Sequence, residues 1–115
     1  MHRDRLEAMF SVVDASAWAE LAAFYHPACR YERPGFPVIT GVDDMLDFYV
    51  RRRPILSGRH TLDSVVEAGE HVFASGSFEG ELRSGDTLQL RFADHYVFEA
   101  DRILNRTTFF FTPLA

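Results

Sequence analysis

The chain has 115 residues, a hydrophobic share of 47% that includes eleven phenylalanines, and a net charge of -5 at neutral pH. That length makes one domain, residues 1–115, with chain enough for a single core, and the apolar share excludes disorder. The acidic balance argues against nucleic acid or an anionic membrane as a partner, and the lone Cys29 excludes an intrachain disulfide and paired-cysteine zinc sites.

Leu6, Met9, Phe10 and Val13 fall at helical spacing and predict a first helix. The charges within MHRDRLEAMF rule out a secretory signal, and no apolar run approaches the roughly 20 residues of a membrane span. The expected location is therefore cytoplasmic. Asp14-Ala15-Ser16 interrupts the pattern, with Asp14 or Ser16 as cap of a second helix bearing Trp18, Leu21, Phe24 and Tyr25. His26-Pro27 ends it, and ACRYERPGFP continues as a short extended piece. A third helix follows Gly41, with Asp43 or Asp44 as N-cap and Met45, Leu46, Phe48 and Tyr49 inside. Arg51-Arg52-Arg53 suits its C-terminal dipole as a solvated end.

Beyond Gly58 the period changes to two. Strands are predicted over 60–68, 71–82, from Leu88 onward, and over 102–112, joined by Gly- and Asp-containing turns. Helices first and strands afterwards predict an α+β fold, three helices packed on one face of a curved, mostly antiparallel sheet. Gly76 and Gly80, within one strand, mark a bend or a close approach, and a bent sheet around helices encloses a cavity. Phe109, Phe110 and Phe111 make the last strand apolar on both faces, as expected if one lines the interior and the other meets a second subunit. A homodimer is therefore expected.

Within LQLRFADHYVFEADRI, the residues Leu88, Leu90, Phe92, Tyr96 and Phe98 share a face with Asp94. A carboxyl group held there can be a protonated hydrogen-bond donor, an ionised base, or half of a structural pair with an arginine such as Arg106. His60 shares parity with Leu62 and Val66. It can pass protons or orient Asp94, or it can be satisfied by a backbone carbonyl. In the extended piece, Arg30 pairs with Glu32 on one face and Tyr31 with Arg33 on the other. Either Glu32 or Arg33 then faces the cavity, and the sequence leaves both open. No glycine-rich phosphate loop, G-x-S-x-G elbow or histidine-pair metal motif occurs, so no cofactor is expected.

The segments ASAWAELAAFYHPACRYERPG, GVDDMLDFY, GRHTLDSVVEAGEHVFASGSFEG and FADHYVFEADRIL resemble the SnoaL-like and ketosteroid-isomerase-like branch of the nuclear transport factor 2-like superfamily, over nearly the whole chain. The resemblance implies a cone-shaped barrel with a deep apolar pocket and a dimer through the convex side of the sheet. It implies cofactor-independent acid/base chemistry of isomerase, cyclase or epoxide hydrolase type on a small hydrophobic molecule, or ligand binding alone. In the family's isomerases the aspartate opening a D-H-aromatic-x-F run is the oxyanion-hole acid, a place Asp94 occupies. Their base falls on Glu32 counted from Phe24, or on Arg33 aligned on Pro34. Ala8, Met9 and Phe10 stand where those isomerases supply a tyrosine, so a steroid isomerase proper is not implied. The expected catalytic set is Asp94, Glu32 and His60, with Arg30, Arg33, Tyr49, Phe78, Phe92 and Tyr96 around the substrate.

Overall fold

Leu6, Met9, Phe10 and Val13 are the buried stripe of α1 (His2–Asp14) in a computed structural model that describes residues 2–112. Next come a single turn, α2 (Trp18–Leu21), and a 3-10 turn over Ala22–Phe24. Neither expected side chain caps α2. Its N-cap is Ala17, and Asp14 is committed elsewhere. The third helix divides into α3 (Val42–Asp47) and a π turn over Phe48–Arg52, where the Arg53 amide reaches back to the Phe48 carbonyl at 2.7 Å. Gly41, with a positive φ of 84°, is the N-cap. Asp44 accepts the Thr40 amide instead of capping.

The strands are β1 (Tyr25–Glu32), β2 (Ile39–Thr40), β3 (Ile55–Ala68), β4 (His71–Leu82), β5 (Thr87–Glu99) and β6 (Arg102–Phe110). They form one sheet in the order β2-β1-β6-β5-β4-β3, antiparallel except where β1 runs parallel to β6. Pro27 falls in the stretch where the β1–β6 register shifts, which suits a residue with no amide to donate. Further shifts interrupt the β3–β4 and β5–β6 pairs, and such irregularities curve a sheet. Curvature does not proceed to closure, because β2 and β3 remain edges; the expected barrel is an open, curved α+β sheet.

Alternation decides what that sheet buries. Val72, Ala74 and Phe78 of β4 and Phe92, Asp94, Tyr96 and Phe98 of β5 face the helices, with Met9, Phe10, Leu21, Met45 and Phe48 packed opposite. Phe73, Phe109 and Phe111 lie on the other side and are about half exposed. No helix among the described residues is long and apolar enough to cross a membrane.

Gly58 faces Gly80 across the β3–β4 pair, and the Phe78 ring lies over both. A Cβ at position 58 would overlap that ring and the Glu79 carbonyl. Gly58→Ala is expected to cost about 1–3 kcal/mol by overpacking, lowering the thermal midpoint by at least about 4 °C. An unchanged midpoint would contradict the close approach.

Candidate functional site

Asp94 is 2% exposed and lies where the parity of β5 puts it, between Phe92 and Tyr96. Both oxygens of its carboxylate are engaged. Oδ2 accepts from the Tyr96 hydroxyl at 2.5 Å and from Arg106 Nη2 at 3.0 Å, and Oδ1 accepts from Thr108 Oγ1 at 2.6 Å. Register explains the partners, since Asp94 pairs with Thr108 across β5–β6 and Arg106 lies two residues away on the same face. Because Thr108 gives its only hydroxyl proton to Asp94, the Tyr31 hydroxyl, 3.1 Å away, must donate to Thr108. Arg106 also donates through Nη1 to the hydroxyls of Tyr25 and Tyr49, at 3.0 and 3.1 Å.

This network sits beneath a cavity lined by Tyr31, Arg33, Arg53, His60, Arg106 and Thr108 on its polar side. Ile55, Phe78, Leu90, Phe92 and Phe110 form its apolar side. The space, partly open to solvent, is about 30 Å³, enough for one or two waters or a single ligand head group. The deep apolar pocket expected from the resemblance is thus a small one with a cationic wall. Asp94 does not reach it, whereas its partners Arg106 and Thr108 do.

His60, on β3, is the titratable group that combines the cavity with a carboxylate. Its Nδ1 lies 2.6 Å from Asp14 Oδ1, and the second oxygen of Asp14 accepts the His60 amide at 2.9 Å. An ionised carboxylate only accepts, so Nδ1 carries the proton and Nε2 the lone pair. Nε2 has no hydrogen-bond partner among the described residues. Phe10 stacks on the ring at 4.4 Å, and Phe78 packs on it at 4.6 Å. Burial lowers the His60 pKa below its ordinary 6.5; Asp14 opposes the shift and Arg53 and Arg106 add to it. The imidazole is therefore neutral at pH 7. On its other side His60 borders an open surface cleft with Glu7, Ser11, Asp14 and Arg59, a route by which protons can exchange with solvent.

The open choice on β1 resolves in favour of Arg33. Tyr31 is buried and Arg33 follows it inward over the rings of Phe48, Phe110 and Phe36, while Arg30 and Glu32 pair on the exposed face at 3.8 Å. Glu32 and Arg30 are thus corrected out of the cavity, because strand parity turns both to solvent. The basic run after α3 is also not wholly solvated. Arg51 and Arg52 pair with Asp47 and Asp44 outside, but Arg53 is 5% exposed, between Tyr49 and Phe78 at the cavity wall. Phe78 and Phe92 line the cavity; Tyr49 and Tyr96 serve the network beneath it. Sequence reasoning missed Asp14 and Arg53 as site residues.

The field inside is positive. Burial raises the Tyr49 phenol, yet Arg106, Arg53 and Arg33 together outweigh it and leave its pKa lowered. For Arg53, burial and the repulsion of Arg33 and Arg106 lower the pKa.

The SnoaL-like domain family matches residues 6–106. The chain belongs to that family. This SnoaL-like protein superposes on an NTF2-like protein of unknown function from Burkholderia pseudomallei with a TM-score of 0.84 at 19% identity, over 95% of this chain and 89% of the other. A protein of ketosteroid isomerase-like fold from Catenulispora acidiphila, solved with trimethylamine, gives 0.81 at 14%, over 91% and 83%. An LEH-like epoxide hydrolase of M. tuberculosis gives 0.80 at 15%, over 93% and 80%. At these identities the likeness shows the fold. A search of curated proteins found no match.

Proposed function

We propose that this SnoaL-like protein is a cofactor-independent acid/base enzyme that moves a proton on a small, mostly apolar carbonyl, enol or epoxide-containing molecule, with His60 as the group that carries the proton. The supporting observation is the His60–Asp14 pair at the cavity wall, with Nδ1 held at 2.6 Å and Nε2 unengaged. Nε2 takes a proton from the carbon beside a carbonyl, and the electron pair of the broken C–H bond passes to the carbonyl oxygen. Asp14 stabilises the imidazolium, and the guanidinium of Arg106 stabilises the oxyanion. Return of the proton to another atom completes an isomerisation; departure of a hydroxyl on the next carbon as water, taking the proton back from His60 Nε2 as the enolate electron pair forms the double bond, completes a dehydration. Asp94 is a positioning residue in this scheme, fixing Arg106 from below.

The test is deuterium exchange in D2O, followed by proton NMR, at the activated carbon of phenylpyruvate and of the neutral phenylacetone. The protein is expected to accelerate exchange of at least one ketone over buffer, and His60→Gln to remove the acceleration. Acceleration that survives in His60→Gln, or none in the unaltered protein, would overturn the scheme. The latter result would favour the second reading, a binding module, for which the clamping of Asp94 by Arg106 away from the cavity speaks.

The functional unit in this proposal is a homodimer through the convex face. Phe73, Phe109 and Val66 expose more than half of their surface there around a shallow apolar depression, with the Phe73 ring stacked on His95 at 4.3 Å. Phe73→Lys combined with Phe109→Lys is expected to halve the mass measured by light scattering after gel filtration. An unchanged mass would contradict this interface.

A further inference from the structure

Three arginines converge on the cavity, and among the described residues one buried carboxylate, Asp94, answers them. Asp94 is already paired with Arg106 and bonded to Tyr96 and Thr108. The side chains of Arg33 and Arg53 have no hydrogen-bond or ion-pair partner among the described residues, and both lie over aromatic faces. The Nε atoms of Arg33, Arg53 and Arg106 are all buried with no acceptor. A chain with 17 acidic and 12 basic side chains has thus gathered an excess of two positive charges, three guanidiniums against Asp94, around a space of about 30 Å³.

Buried donors normally find acceptors, and an unpaired buried charge is costly. A protein retains such an arrangement where something else supplies the negative charge. Guanidinium forks match the paired oxygens of a carboxylate in one plane. The space is the size of such a head group, and it is partly open past Ile55, Phe78, Leu90 and Phe110, against which an apolar body can lie.

We infer that the cavity binds the carboxylate of a small apolar acid on Arg33 and Arg53, the two guanidiniums without a partner, leaving Arg106 to the oxyanion and the body of the acid against the phenylalanines. The inference rests on reading this cavity as the substrate site, and it narrows the substrate to an organic acid whose reacting carbon lies within reach of His60. Arg53 is the anchor, being the most deeply buried of the two unpaired guanidiniums.

Binding is read by calorimetry and by thermal midpoint with acetate, butyrate and benzoate, each against its amide at equal ionic strength. At least one carboxylate is expected to bind and raise the midpoint at concentrations where its amide does neither. Arg53→Met is expected to weaken that carboxylate at least tenfold while raising the midpoint of the ligand-free protein by at least about 3 °C, because a buried unpaired charge has been removed. Arg33→Met, at the less buried position, should weaken the same carboxylate without unfolding the protein. Amides binding as well as carboxylates, carboxylates acting no differently from chloride, or undiminished binding in both variants would overturn the anion site. None of these readouts involves turnover. His60-dependent exchange with no carboxylate preference would remove the anion site alone, and carboxylate binding with exchange indifferent to His60 would remove the acid/base scheme alone.

Discussion

His60→Gln is expected to reduce enzyme-catalysed proton exchange by about 10²–10⁴-fold, the usual share of a positioned general base. Glutamine keeps a polar group of similar reach but has no lone pair of comparable basicity. Asp14→Asn should cut the rate by about tenfold or more, since an amide stabilises the imidazolium less than a carboxylate does. The two variants separate in their pH dependence. Burial holds the His60 pKa below 6.5, so activity is expected to fall on the acid side with an apparent pKa below that value. Asp14 raises the His60 pKa, so its removal should move the acid limb to still lower pH while lowering the plateau. Stability follows the same group. Between 6.5 and the lower folded value the unfolded chain binds the proton and the folded chain does not, so stability is lost as pH falls through this window. In His60→Gln that part of the acid sensitivity should disappear.

Arg106→Met is expected to cost about 3–5 kcal/mol, a large part of the 5–15 kcal/mol that holds a domain of this size together. Arg106 is 5% exposed, and its loss leaves the Asp94 carboxylate buried with two hydroxyls but no counter-charge. It also strips the hydroxyls of Tyr25 and Tyr49 of a donor. Burial opposes the Arg106 charge, but Asp94 and the surrounding tyrosines outweigh it and raise its pKa well above the ordinary value. The double replacement Asp94→Leu with Arg106→Met should be less destabilising than Arg106→Met alone, because no orphaned charge remains. Urea unfolding of the four proteins gives the coupling directly. Equal loss in the single and double variants would contradict the pairing.

The strands were legible because their period is short and local. Asp94 among Leu90, Phe92 and Tyr96 could only point inward, and Arg106 was already a candidate partner two positions from its cross-strand neighbour. The α+β order and the helices-on-one-face arrangement followed from the same patterning. What sequence did not reveal depends on contacts between distant elements or on a shift of helical phase. Asp14 has the character of a cap until β3 brings His60, 46 residues later, against it. Arg53 ends a run of three arginines that resembles a solvated helix end, but the π turn changes the phase and carries it inside while Arg51 and Arg52 stay out. Glu32 drew attention as a carboxylate in a place the family uses for a base, yet the burial of Tyr31 fixes the parity of β1 against it.

The state of the His60 ring bears most directly on the mechanism. Long-range nitrogen-15 NMR of the side chain between pH 5 and 8 is expected to show an Nδ1–H, Nε2-unprotonated imidazole at pH 7 that takes up its proton only below the ordinary 6.5. An imidazolium at pH 7, or a neutral ring with its proton on Nε2, would contradict His60 as the base.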